Sequence, residues 1–194
     1  MELSVKRPIV VLSGTNRPGA NALNVATYIA NIYADLGVPH KIMSLADLPQ
    51  DVFTPDVYAS KPESFSGMQQ QILDAAGLHV VTPEYNSSFP GILKYFIDLL
   101  KFPESFEHKP VALVGEAAGR WGGMRPVEQL AQIFQYRSGL VHAHRVFLPS
   151  ISDKIDDAGN VSDDFSAKLL RHQCEAFAEF VRSAPDFNSP PKPS

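Results

Sequence analysis

The most constraining feature of this chain is a repeated alternation: a short, β-branched apolar run, stopped at once by a turn residue, then a longer stretch with helical spacing. Ile9-Val10-Val11-Leu12 is the first such run and is halted by Ser13-Gly14. From Ala22 to Leu36 the apolar positions Leu23, Ala26, Ile29, Ala30, Tyr33 and Leu36 fall on one helical face, and Gly37 ends the pattern. Further strands are expected at His40 to Leu45, at Leu78 to Val81 before Thr82-Pro83, at Pro110 to Val114 before Gly115, and within Val141 to Leu148 before Pro149. Helices are expected at about Glu63 to Ala76, Pro90 to Leu100, Pro126 to Arg137 and Asp163 to Arg182. Apolar runs without a polar alternate are the mark of strands covered on both faces. The pattern implies an α/β sandwich around a five-stranded parallel sheet; right-handed crossovers leave a few topologies, of which the doubly wound order 2-1-3-4-5 is the expected one. Residues 1–187 are expected to form one domain, and the Pro-rich stretch 188–194 a flexible tail. Ala46 to Pro62 holds three prolines and no regular period, and reads as a long loop.

In an open parallel sheet, ligands sit beyond the carboxyl ends of the strands, where strand order reverses. Here that point lies between the first and third strands. The loop after the first, Ser13 to Asn21, brings Thr15, Arg17 and glycine-flanked N–H groups to a helix N-terminus, which is a phosphate site in physical terms. It is neither a Walker A loop nor G-x-G-x-x-G. The loop after the third strand, Thr82 to Gly91, carries two prolines, Tyr85 and Phe89, and could read the edge of a heterocycle. The loop after the fourth, Gly115 to Arg125, is glycine-rich, allows close backbone approach to a flat ligand, and holds the sole tryptophan, Trp121. Each loop also has a purely structural reading: a capped polar turn, a rigid turn burying Tyr85, or a flexible connection with Trp121 as a packing residue. Together they suit a mononucleotide with a planar ring.

Composition narrows the alternatives. The net charge is −4, a poor footing for broad contact with nucleic acid or an anionic membrane, so neither is expected as a partner. One cysteine, Cys174, excludes an intrachain disulfide and Cys-rich zinc modules. No secretory signal or bilayer-length apolar stretch is seen in the sequence, and a cytoplasmic location is expected.

Three stretches give the chain a family resemblance. Pro83-Glu84-Tyr85-Asn86-Ser87-Ser88-Phe89-Pro90-Gly91, continued by Leu93-Lys94 and Ile97-Asp98, matches a P-E-Y-N-x-S-x-P-G-x-L-K-x-x-I-D signature. Gly119-Arg120-x-Gly122-Gly123-x-Arg125 matches G-R-x-G-G-x-R, and Gly14-Thr15-x-Arg17 matches G-S/T-x-R. The chain thus resembles, from about Pro8 to Pro149, the NAD(P)H-dependent FMN reductase family. This is a flavodoxin-like group that includes relatives acting on quinones, azo dyes and chromate. The resemblance implies non-covalent FMN, with its phosphate on Thr15, Arg17 and backbone near Asn21. Its ring system would lie against Pro83, Glu84, Tyr85 and Asn86, with Gly119, Arg120, Gly122 and Gly123 on another side. Ala20 stands where many members carry a hydroxyl that helps hold the phosphate, which removes one donor and leaves Asn21 to compensate. Tyr95-Phe96 replaces the smaller Asn-Ala often found after the lysine. The family also implies a homodimer or homotetramer.

The expected activity is hydride transfer from NADPH or NADH through FMN to a small acceptor: a flavin, quinone, azo compound or metal oxyanion. The flavin carries the chemistry, so no catalytic side chain is assigned. Arg17, Arg120 and Arg125 are candidates for a pyridine-nucleotide phosphate. The rival readings are a flavodoxin-type electron carrier, against which the glycine–arginine loop and modest acidity speak, and an FMN-free binding subunit, favoured only by Ala20. His142 and His144 are two apart on an expected strand and could face one way, but no third metal ligand is placed by spacing and no metal is expected. Cys174 shares a helical face with Leu170, Phe177 and Val181, the position of a buried apolar residue rather than a redox thiol. The arc Ile92, Leu93, Phe96, Ile97, Leu99 and Leu100 is wide enough to serve both a core and a subunit interface.

Overall fold

The run Ile9–Ser13 becomes strand β1, and every later strand lies parallel to its neighbour. The structure is a computed structural model that describes residues 7–184, so the Pro-rich stretch 188–194 and the end of the expected domain lie outside the described residues. In chain order the elements are β1, α1 (Asn21–Asp35), β2 (His40–Ser44), α2 (Ser66–Asp74), β3 (Gly77–Pro83), α3 (Gly91–Leu99), β4 (Pro110–Glu116), α4 (Met124–Tyr136), β5 (Leu140–Val141), β6 (Val146–Leu148) and α5 (Asp164–Ser183). The sheet order is β2-β1-β3-β4-β5, with β6 also paired to β4. This is the doubly wound order expected from the pattern of runs. β1 is flanked by β2 and β3, so the crevice between the carboxyl ends of β1 and β3 is the reversal point.

Side-chain alternation along the buried strands feeds two cores. Val10, Leu12, Leu78, Val80, Val111 and Leu113 pack with α2, α3 and α4 on one face. Ile9, Val11, Val81, Ala112 and Val114 pack with α1 and α5 on the other. The wide apolar arc of α3 is taken up inside this chain: Leu93, Phe96, Ile97, Leu99 and Leu100 are all buried, and Ile92 packs against the same core. Cys174 is buried among the α1–α5 residues, and desolvation pushes its thiol up to about 12, as suits a packing residue.

Two expectations need correction. Ala46 to Pro62 is not an irregular loop: it holds short 3-10 turns at Gln50–Val52 and Pro55–Tyr58, after one at Leu45–Asp47. Val52 and Val57 pin it to the core, and Phe53 stacks on Tyr95 with ring centres 5.4 Å apart. The fifth strand is broken. Val111 faces Val141 and Val114 faces Val146, so three steps on β4 oppose five on the outer strand, leaving two extra residues. His142 and His144 lie in that break, not on a common strand face. Their rings meet edge to face at 5.2 Å, and the His144 ring stacks on His172. No cluster of three or more His, Cys, Asp or Glu able to hold a metal occurs among the described residues.

The break is bridged from α5. Gln173 Nε2 donates to the carbonyls of Leu113 (3.0 Å) and His144 (2.7 Å). With its amide nitrogen so used, Gln173 Oε1 accepts from His79 Nε2 (3.1 Å), which leaves His79 Nδ1 to accept from the Tyr33 hydroxyl (2.8 Å). This buried chain ties α1, β3, β4 and α5 together, and burial lowers the His79 pKa from 6.5 to about 3.

Candidate functional site

A cleft of about 360 Å³ opens at the carboxyl edge of the sheet, at the reversal point. Its walls come from four segments. The β1–α1 loop contributes Arg17, Pro18, Gly19, Ala20 and Asn21. The end of β3 and the turn after it contribute Pro83, Glu84 and Tyr85. The end of β4 supplies Glu116, followed by Ala117 and Ala118, and the segment after β6 supplies Ile151 and Ser152.

Local geometry explains how each wall is held. β1 runs into Thr15, which is buried and shares a 3.1 Å hydrogen bond with the Tyr85 hydroxyl, while its Oγ1 accepts from Arg17 N–H. The first and second walls are thus joined across 70 positions of sequence. Ala20 is the N-cap of α1, in extended conformation and with no side chain capping the first turn. The start of α1 and the positive end of its dipole are therefore presented at the cleft with no side-chain cap. Pro83 faces Glu116 in the β3–β4 register, and Glu84 N–H donates to Glu116 O (3.0 Å), which carries the ladder one step past the strands. The next residues fold back at once, with Tyr85 and Ser88 paired through their backbones and Asn86 (φ 52°) and Ser87 (φ 65°) in left-handed conformation.

The electrostatics are mixed. Arg17 is the cation lining the cleft, and two carboxyls accompany it. Glu84 Oε1 pairs with Arg125 (3.3 Å), while its Oε2 is buried without a hydrogen-bond partner among the described residues. Glu116 is 5 % exposed, and burial raises its pKa to about 7 against the opposing pull of Arg17.

The structure brings only part of the expected site into this cleft. Arg17, Ala20, Asn21, Pro83, Glu84 and Tyr85 line it. Thr15 stands behind Tyr85, and Gly14 is packed against Leu93 and the Val81 carbonyl. Asn86 is exposed on the turn beside the cleft. Gly119, Arg120, Gly122 and Gly123 do not line it, and two of these glycines have another reason to be there. Gly122 (φ 59°) and Gly123 (φ 78°) are left-handed, and a Cβ would come within 2.7 Å of Pro149 N at the first and 2.6 Å of Glu116 N at the second. Their close approach is to the protein's own backbone. Gly122 O and Gly119 O accept from Leu148 and Ser150, so the loop is stitched to the end of β6. Trp121 is 47 % exposed, with the guanidinium groups of Arg120 and Arg125 over its ring at 5.2 and 5.7 Å.

Sequence reading passed over Glu116, although it lies in the quoted loop, because nothing local marks it as buried. It also missed Ile151-Ser152. The signal for these was available: they follow the last strand on the side of the sheet where all the loops of interest lie.

The family model described as NADPH-dependent FMN reductase matches residues 8–152. The quinone reductase of Escherichia coli (strain K12) is 32 % identical over 186 residues, covering 93 % of this chain and 98 % of the relative. Among solved structures, the flavoenzyme NAD(P)H:(acceptor) oxidoreductase from Paracoccus denitrificans superposes with a TM-score of 0.78 over 92 % of this chain and 98 % of its own, at 20 % identity. A flavodoxin from the domain Archaea superposes with a TM-score of 0.61 over 90 % and 98 %, at 17 % identity, and these likenesses show a flavodoxin-like fold.

Proposed function

The chain belongs to the NADPH-dependent FMN reductase family, and from that premise we propose that the cleft at the β1–β3 reversal point holds FMN and that a small quinone is the acceptor. The protein is an oxidoreductase that uses FMN, with NAD(P)H as electron donor. FMN, when bound, supplies hydride-transfer chemistry that no side chain here can provide.

The residues present fit that group. The uncapped first turn of α1, with Asn21, and the guanidinium of Arg17 form a donor set suited to a phosphate. Pro83, Glu84 and Tyr85 form a wall suited to a planar ring, and the buried Oε2 of Glu84 is an acceptor with no protein donor among the described residues. Thr15 holds Tyr85 in place, and Gly14 lets β1 run close under Leu93. Asn86, Gly119 and Arg120 belong to the rim; Gly122 and Gly123 support it by locking their loop to the sheet. Arg125 is engaged by Glu84 and Arg17 lines the cleft, so Arg120 is the arginine we assign to a pyridine-nucleotide phosphate. Relatives extend the reading to the acceptor: the quinone reductase aligned over nearly all of both chains supports a quinone before an azo compound or a metal oxyanion.

One observation carries the reading: loops far apart in sequence converge on one cleft at the carboxyl edge, around a helix end that no side chain caps. The test is direct. Purified protein is mixed with FMN, freed of excess, and its visible spectrum recorded; NADPH or NADH is then added without oxygen, followed by a benzoquinone. Retained flavin that bleaches with nucleotide and recovers with the quinone is expected. Flavin that stays oxidised would instead mark an electron carrier, and no retained flavin would overturn the assignment of the cleft.

A further inference from the structure

Glu116 is an unusual residue to find in a cleft built for an anion. It closes β4, is almost fully hidden from solvent, and lines the same 360 Å³ space as Arg17 and the first turn of α1. We propose that Glu116 holds a proton when FMN is bound, so that FMN binding takes up a proton and weakens as the pH rises. This rests on the assignment of the cleft to FMN.

Geometry and charge carry the argument. The β1–α1 loop brings Arg17 to the cleft, and the turn after β3 brings Glu84 and Tyr85. Ala117 and Ala118 beyond β4, and Ile151 and Ser152 beyond β6, add no charge. Arg125 is drawn to Glu84, so Arg17 alone among the lining residues opposes the charge of Glu116. A phosphate with nearly two negative charges entering this space would face an ionised Glu116 in a poorly solvated setting, where like charges cost most. Protonation removes that repulsion and turns Glu116 into a hydrogen-bond donor. Burial already raises its pKa to about 7, so the proton is available near neutrality.

Affinity for FMN is measured by quenching of flavin fluorescence from pH 7 to pH 9, a range in which the phosphate's own second ionisation, near pH 6, is complete. The dissociation constant is expected to rise about tenfold or more across the range, because the proton becomes scarcer above the pKa of the free cleft. In Glu116→Gln the rise disappears while FMN still binds. Lys109 also titrates in this range, lowered by burial to about 8, but it precedes the start of β4, against the end of α2 and at the opposite edge of the sheet from Glu116, and is untouched by that variant. A readout independent of the variant is calorimetry of wild-type protein in two buffers of different ionisation enthalpy, which should show uptake of nearly one proton per FMN at pH 8. A flat affinity profile, a profile unchanged in Glu116→Gln, or no proton uptake would each overturn the proposal and leave the cleft assignment standing. Absence of FMN binding at every pH would overturn both.

Discussion

Replacing His79 by leucine tests the buried chain that holds the site's supporting elements together. Tyr33 lies on α1, His79 on β3 and Gln173 on α5, and β1–α1 and β3 deliver two walls of the cleft. The leucine leaves the Gln173 Oε1 acceptor unmatched and removes the hydrogen bond of the Tyr33 hydroxyl to His79. At about 1–3 kcal/mol for each of the two groups, the variant should be about 2–6 kcal/mol less stable at pH 8, within the margin of a folded domain. The pH dependence is the sharper part. His79 stays neutral in the folded protein down to about pH 3, because its burial penalises the charged form, whereas an unfolded histidine takes up a proton near 6.5. Below pH 6.5 the unfolded state therefore binds more protons, and wild type loses stability at up to about 1.4 kcal/mol per pH unit, roughly 2 kcal/mol by pH 5. His142, lowered by burial in the same direction, contributes to both proteins. Urea unfolding followed by far-ultraviolet circular dichroism at pH 8, 7, 6 and 5 should show the gap between wild type and His79→Leu narrowing by about 2 kcal/mol as the pH falls. A gap that stays constant would refute the claim that burial holds His79 neutral in the folded protein.

Three further outcomes are expected. Arg17→Ala should weaken FMN binding by about 10- to 100-fold, the cost of losing one charge-assisted contact, as read by flavin fluorescence at fixed ionic strength. Ala20→Ser restores a hydroxyl at the N-cap of α1, and should raise the stability of apoprotein by about 1 kcal/mol in urea while tightening FMN binding severalfold. Gly122→Ala places a Cβ within 2.7 Å of Pro149 N at a left-handed position, and should lower stability by at least about 1–3 kcal/mol; unchanged urea midpoints would show that the loop can move away from β6.

Much of the architecture was legible because its signals are local. A β-branched run halted by a turn residue, or apolar positions repeating along one helical face, involves neighbours within a turn or two of chain. The alternation of runs and the handedness of crossovers reduced the strand orders to a few, and the structure has the doubly wound one expected among them. The same locality located the loops after β1 and β3, whose prolines, glycines and hydroxyls announce themselves. At Gly122 and Gly123 its message is incomplete: a pair of glycines signals a close approach but not to what, and a Cβ at either would meet the protein's own backbone. Locality misled at Val141 to Leu148, where an apolar run conceals two extra residues visible only against β4.

Sequence alone thus determined the alternation of elements and the layered sandwich, and pointed to the edge we propose for the ligand, since periodicity and turn chemistry are written residue by residue. Tertiary structure alone decided which residues share an environment. Tyr33 and His79 are 46 positions apart, His79 and Gln173 are 94, and the neutral ring among them exists only once three elements have closed over it. Glu116 is likewise an ordinary acidic residue in the chain, and becomes a proton-holding one only when the ends of β3 and β4 and the segment after β6 remove water from around it. Ionisation and ligand choice depend on solvent exclusion and charge at a few ångströms, and these are properties of the folded neighbourhood.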